Sequence, residues 1–143
     1  MRTHIEETTI RFVSRFWEQL GMQVTRLSPA EHDRILARIS HLPHVLATAL
    51  VNSSVVEQTH LCGKGFLDTT RIASGPPSVW KDILTSNAAN TDRAIGKLIK
   101  ELTRMQSALR QGNERAIAAM LTEARIKRNR LVAEKLRRKE LPA

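Results

Sequence analysis

Between Ser86 and Gln111 the apolar residues Ile95, Leu98, Ile99, Leu102, Met105 and Leu109 recur every three or four positions. That is the spacing of one face of an α-helix. Gly112-Asn113 then marks a tight turn. From residue 114 to 138 the pattern resumes, with Ile117, Met120, Leu121, Ala124, Leu131 and Val132 set inward. Two long amphipathic helices in tandem commit more than a third of a 143-residue chain to helix-on-helix packing. Composition agrees: with three Phe, two Trp and no Tyr, the chain is short of the aromatic residues that sandwiches and barrels favour.

The rest of the chain reads the same way. Ile5, Thr9, Phe12, Val13, Phe16, Trp17 and Leu20 place an amphipathic helix over 5–20, ended by Gly21. Met22, Val24 and Leu27 alternate loosely and are compatible with one short strand. Ser28-Pro29-Ala30-Glu31 is a helix start, with Ser as N-cap, Pro in the first turn and Glu closing a capping box. The helix it opens carries Ile35, Leu36 and Ile39 inward, meets Ser40-His41-Leu42-Pro43-His44, and continues to about Val56. Residues 57–70 hold glycines and read as a loop, with a short helix beginning near Asp68. Ser74-Gly75-Pro76-Pro77 breaks it, and 78–85 forms another helical turn containing Trp80. The expected fold is therefore all-α, with at most one short N-terminal strand.

Composition also bounds function. A single cysteine, Cys62, leaves no internal disulfide and argues against a structural zinc site, so a reducing, cytoplasmic setting is expected. No apolar run approaches membrane-spanning length. Net charge is +9, which suits nucleic acid, a membrane surface or an anionic small ligand. Much of the excess lies in the Arg125–Lys139 stretch, RIKRNRLVAEKLRRK, read first as a solvated helix end whose cations suit the helix dipole. A stand-alone basic module binding nucleic acid or an acidic partner is the alternative. Neither GxGxxG nor GxxxxGK[ST] occurs, so no recognised loop cradles a nucleotide phosphate.

The chemistry-bearing residues cluster between 32 and 80. His41 and His44 stand three apart around Pro43 and could share a helix face, but no third metal ligand accompanies them. Pro43 removes a backbone donor and disturbs the helix at that turn. Arg71 lies in the otherwise uncharged run Thr69-Thr70-Arg71-Ile72-Ala73. It is either an ion-pair partner of Asp68, one turn back, or a guanidinium offered to a carboxylate or phosphate.

The order FWEQLG, SPAEHDRILARISHLPHVLATALV, GKGFLDTTRIAS, VWKDIL resembles the C-terminal helical domain of prephenate and arogenate dehydrogenases. The resemblance runs at motif level from Phe16 to Asn87. It implies a fold similar to the 6-phosphogluconate dehydrogenase C-terminal domain, an intertwined homodimer, and a domain layout. In that layout 1–27 is the link from an absent Rossmann domain, 28–138 the dimerisation and substrate-binding domain, and 139–143 a tail. It implies that prephenate or arogenate is held by His44, His41, Arg71, Asp68 and Trp80. NAD or NADP and the catalytic histidine belong to the Rossmann domain, in cis or in trans, so this chain is expected to bind no cofactor or metal and to be inactive alone. A tyrosine-sensing regulatory remnant is a further alternative. One departure stands out: Gly63-Lys64-Gly65-Phe66 has Lys64 where the family carries the central glycine of a triplet.

Overall fold

The computed structural model describes residues 6–54 and 56–138. Ile5 and the expected tail 139–143 lie outside the described residues. Among those described there are helices and no strand. Helix α1 spans Glu7–Gln19 and closes at Gly21, whose φ of 81° takes the left-handed conformation that L side chains rarely adopt. Met22–Leu27, expected as a possible strand, is irregular and pairs with nothing as a ladder. Side chains fix it instead: Arg26 NH1 meets Glu7 Oε1 at 2.7 Å, and Gln23 Nε2 donates to the Arg138 carbonyl at 3.0 Å.

Helix α2, Pro29–Leu36, opens with the full capping box between Ser28 and Glu31. It runs without a break through a π-helical segment, Ala37–His41, into α3, Leu42–Asn52. The stretch read as loop is partly helical. Val56–Leu61 is a 3-10 turn, and α4 spans Lys64–Thr70, four residues earlier than expected. Gly63 opens α4 in extended conformation, Lys64 pairs with Asp68, and the Thr69 and Thr70 hydroxyls bond back to the carbonyls of Gly65 and Phe66. A 3-10 turn, Arg71–Ser74, leads to α5, Pro77–Ser86, followed by α6, Ala88–Arg110, and α7, Glu114–Arg137. Gly112, at φ 60°, turns α7 back along α6, and Asn113 caps α7 by accepting from the Ala116 N–H at 3.0 Å.

At the centre, α6 crosses α2 and the π segment, while α3 packs on α4 and the Arg71–Ser74 turn. Among the described residues the buried apolar ones are Ala37, Ala47, Ala94 and Ala108, and no large side chain is fully enclosed. The periodic apolar faces exist, but the single chain does not cover them. Phe12 is 74%, Ile39 68%, Ile99 55%, Leu102 54% and Leu121 59% exposed, so the inward placement expected for several of these residues is not met within one chain. The accessible surface is 12186 Å². A compact monomer of 16.1 kDa exposes about 7,400 Å². The helices pack on one another through small residues, and their larger apolar faces stay open to cover from outside the chain.

Candidate functional site: a hollow beside His44

Pro43 shapes the site. It has no N–H to give to the helix ladder, and its ring crowds the carbonyl four residues back. The helix absorbs this by widening over Ala37–His41, where the Leu42 N–H reaches the Ala37 carbonyl, five residues away. His41 and His44 consequently do not share a neighbour: His41 faces α6, and His44 faces α5.

His44 is 5% exposed. Its imidazole lies parallel to the Trp80 indole, with centroids 3.5 Å apart and planes within 8°. Gly75 backs the pair so closely that nothing larger than hydrogen fits there. The stack forms one wall of a hollow of about 460 Å³, lined also by Thr48, Asn52, Ala73, Lys81 and Leu84. The His44 Nδ1 is buried and has no hydrogen-bond partner. Burial also holds the His44 pKa below its ordinary 6.5, so the ring is neutral at physiological pH and offers one donor and one acceptor. His44 thus brings a neutral imidazole, with one nitrogen unpartnered inside the chain, to the wall of an apolar hollow.

His41 does different work. Its Nδ1 lies 3.4 Å from both Thr91 Oγ1 and Asn87 Nδ2. Asn87 in turn donates to the Asp33 carbonyl at 2.7 Å and accepts from Asn90 Nδ2 at 2.8 Å. An amide nitrogen only donates, so His41 Nδ1 is the acceptor and its proton sits on Nε2. Burial lowers the His41 pKa and the Asp33 carboxylate opposes that shift. This network ties α2 and the π segment to the start of α6 and does not line the hollow.

Asp68 and Arg71 stand on the neighbouring α4 and its following turn, outside the lining of the hollow. The ion pair considered for them is not formed. Lys64 Nζ takes Asp68 Oδ2 at 2.7 Å along α4, while α4 ends at Thr70, before Arg71. Among the described residues the exposed Arg71 guanidinium has no partner. The residues that sequence reasoning missed are Thr48, Asn52, Gly75 and Lys81. Thr48 and Asn52 follow His44 by four and eight positions, a polar line on an otherwise apolar helix that the sequence did display. Among the described residues, no three His, Cys, Asp or Glu side chains come together to hold a metal ion.

The class these features define is a helical domain with open apolar faces and one walled hollow at a helix junction. The family described as prephenate dehydrogenase, dimerization domain, matches residues 28–123, and the chain belongs to it. A cyclohexadienyl dehydrogenase of Zymomonas mobilis is 29% identical over 113 residues, covering 74% of this chain and 39% of its own length. A prephenate dehydrogenase of Bacillus subtilis is 34% identical over 96 residues, covering 59% and 24% respectively. The crystal structure of prephenate dehydrogenase from A. aeolicus, in complex with hydroxyphenyl propionate and NAD+, superposes with a TM-score of 0.81. It is 32% identical, over 92% of this chain and 48% of that one. Arogenate dehydrogenase from Synechocystis, at 21% identity and a TM-score of 0.79, shares the fold. The chain thus spans about half the length of these solved relatives, and less than half of the curated ones.

Proposed function

We propose that this chain is the dimerising, substrate-closing half of a prephenate or arogenate dehydrogenase, and that the hollow beside His44 receives the substrate. The observation that carries this reading is the His44 ring, stacked on Trp80 at the wall of a largely apolar hollow and left without a hydrogen-bond partner at Nδ1. A cyclohexadiene ring fits between apolar walls, and a neutral imidazole gives its polar substituent a partner without burying a charge. The free Arg71 guanidinium supplies a fork for a carboxylate at the margin, where Asp68 no longer competes for it. His41 holds the helix that carries His44, with Asn87 and Thr91 as its anchors.

Among the described residues no strand leads through a glycine turn into a helix, the arrangement that cradles a dinucleotide pyrophosphate. In the complete enzyme NAD or NADP accepts the hydride on another domain, and this chain alone turns nothing over. The uncovered apolar faces support a homodimer. The basic end of α7 is a solvated helix end: Glu134 takes both Arg137 and Arg138, and its carboxyl is held down to about 2 by those guanidinium groups. Titration calorimetry with hydroxyphenyl propionate tests the reading. The full chain should bind it, and His44→Ala should weaken that binding at least tenfold. Binding unaffected by His44→Ala, or absent from a correctly folded dimer, would sink the assignment.

A further inference from the structure

Four cations meet at a second place, where α2 and the π segment pass α6. Arg34 and Arg38 stand one turn apart on the first helix, and Arg93 and Lys97 one turn apart on α6. Together with Asn90 and the buried Ala94 they wall a small cleft of about 120 Å³. No carboxylate lines it.

Like charges four residues apart on a helix repel, and here two such pairs are set face to face. Several cations elsewhere are matched, Lys64 to Asp68, Lys127 to Glu123, Arg137 and Arg138 to Glu134; what sets these four apart is that they converge on one cleft. Among the described residues none of the four cleft cations forms an ion pair. Three of the neighbouring acids have hydrogen-bond or ion-pair partners elsewhere, although the Glu31 charge still acts on Arg34 one turn away, and Asp92 beside Arg93 does not line the cleft. Asp33 turns to His32 Nδ1 at 3.0 Å, Glu31 is held by the Ser28 hydroxyl at 3.0 Å, and Glu101 pairs with Arg104 at 3.7 Å. Arg93 is oriented, with NH2 donating to Asn90 Oδ1 at 2.6 Å, and Asn90 is itself fixed by Asn87.

We infer that this cleft is an anion site that takes a phosphoryl group, free or carried on a nucleotide. Three guanidinium groups match phosphoryl oxygens in bidentate pairs, and Lys97 adds a point charge. Four unpaired cations balance a multiply charged anion, whereas a single carboxylate would leave most of their repulsion in place. The cleft is large enough for one or two phosphoryl groups and too small for a ring system. It is separate from the hollow beside His44, since no residue lines both.

Titration calorimetry of the full chain with pyrophosphate, at ionic strength held constant with sodium chloride, tests the site. One pyrophosphate should bind per chain. Arg38→Ala combined with Arg93→Ala should lower the affinity at least tenfold, and Arg128→Ala with Arg130→Ala, on α7, should leave it within twofold. Thermal melting is the second measurement. Without anion, the Arg38/Arg93 variant should melt at or above the unaltered chain because repulsion is relieved, and it should lose the rise in Tm that pyrophosphate produces. Stronger binding of ADP than of pyrophosphate would support the site with a nucleotide as its source; the reverse order would support it with free phosphate. No saturable binding, or equal loss in the α7 control, would overturn the proposal. So would a lower Tm of the anion-free Arg38/Arg93 variant with its pyrophosphate response intact.

Discussion

A methyl group placed on Gly75 would lie 2.4 Å from Trp80 Nε1 and 3.2 Å from His44 Cε1. The backbone there, at φ −63° and ψ 152°, suits any residue, so glycine is required by space and not by conformation. Gly75→Ala should push the indole off the imidazole and cost about 1–3 kcal/mol, as overpacking does. Thermal melting should register the loss, and a change in tryptophan fluorescence should accompany it. An unchanged Tm and spectrum would mean that the stack is not held by this contact.

Burial lowers the pKa of both His41 and His44 from 6.5. The unfolded chain therefore binds protons that the folded chain refuses. Stability from these rings is complete above pH 6.5 and is lost as pH falls through their lowered folded values. Tm should fall between pH 7 and 5. His44→Phe, which keeps a stacked ring but cannot titrate, should flatten part of that slope. An identical slope in the variant would exclude His44 as a contributor.

Asn87 joins the Asp33 carbonyl, Asn90 and His41. Asn87→Ala removes one of two donors to the Asp33 carbonyl, which keeps the Ala37 N–H, and one of the two partners of His41 Nδ1, at a cost of roughly 1 kcal/mol. Chemical denaturation should show a lower midpoint. Hydrogen exchange should show earlier opening of α2 against α6 than of α6 against α7. Uniform loss of protection would place the network outside that junction.

Arg71→Ala should leave stability within about 0.5 kcal/mol, because the side chain is exposed and unpartnered in the chain. In the complete enzyme, KM for prephenate or arogenate should rise at least tenfold while kcat changes less, since uniform binding is removed. Unchanged KM would take Arg71 out of the site.

Sedimentation at micromolar concentration should give twice 16.1 kDa, and Tm should rise with protein concentration. A concentration-independent monomer would leave roughly 4,800 Å² of excess surface without a role.

Much of this was legible in the residues. Ser28 and Glu31 announce the start of α2, and Gly112-Asn113 the return of α7, because caps and turns are local chemistry. The periods of α6 and α7 gave the helices correctly but not what covers them. Periodicity identifies an apolar face and is silent on which chain buries it, so Leu102 and Leu121 were set inward and are open. At the site, His44 and Trp80 were singled out, but their stacking depends on Gly75, which reads in sequence only as part of a breaker. Lys64 stands one helical turn from Asp68, and they pair because α4 begins at Lys64, a start that no side-chain cap in the sequence announces.

The widened turn at Ala37–His41 amounts to one residue more than a regular helix would hold. One residue of α-helix is about 100° of rotation. Excising a single residue from this turn would swing everything upstream of it, Arg34 and Asp33 included, to a different bearing on α6, while His44 kept its place against Trp80. The hollow beside His44 and the cationic cleft are therefore indexed to each other by one surplus residue, and a deletion there should uncouple them without unfolding α3.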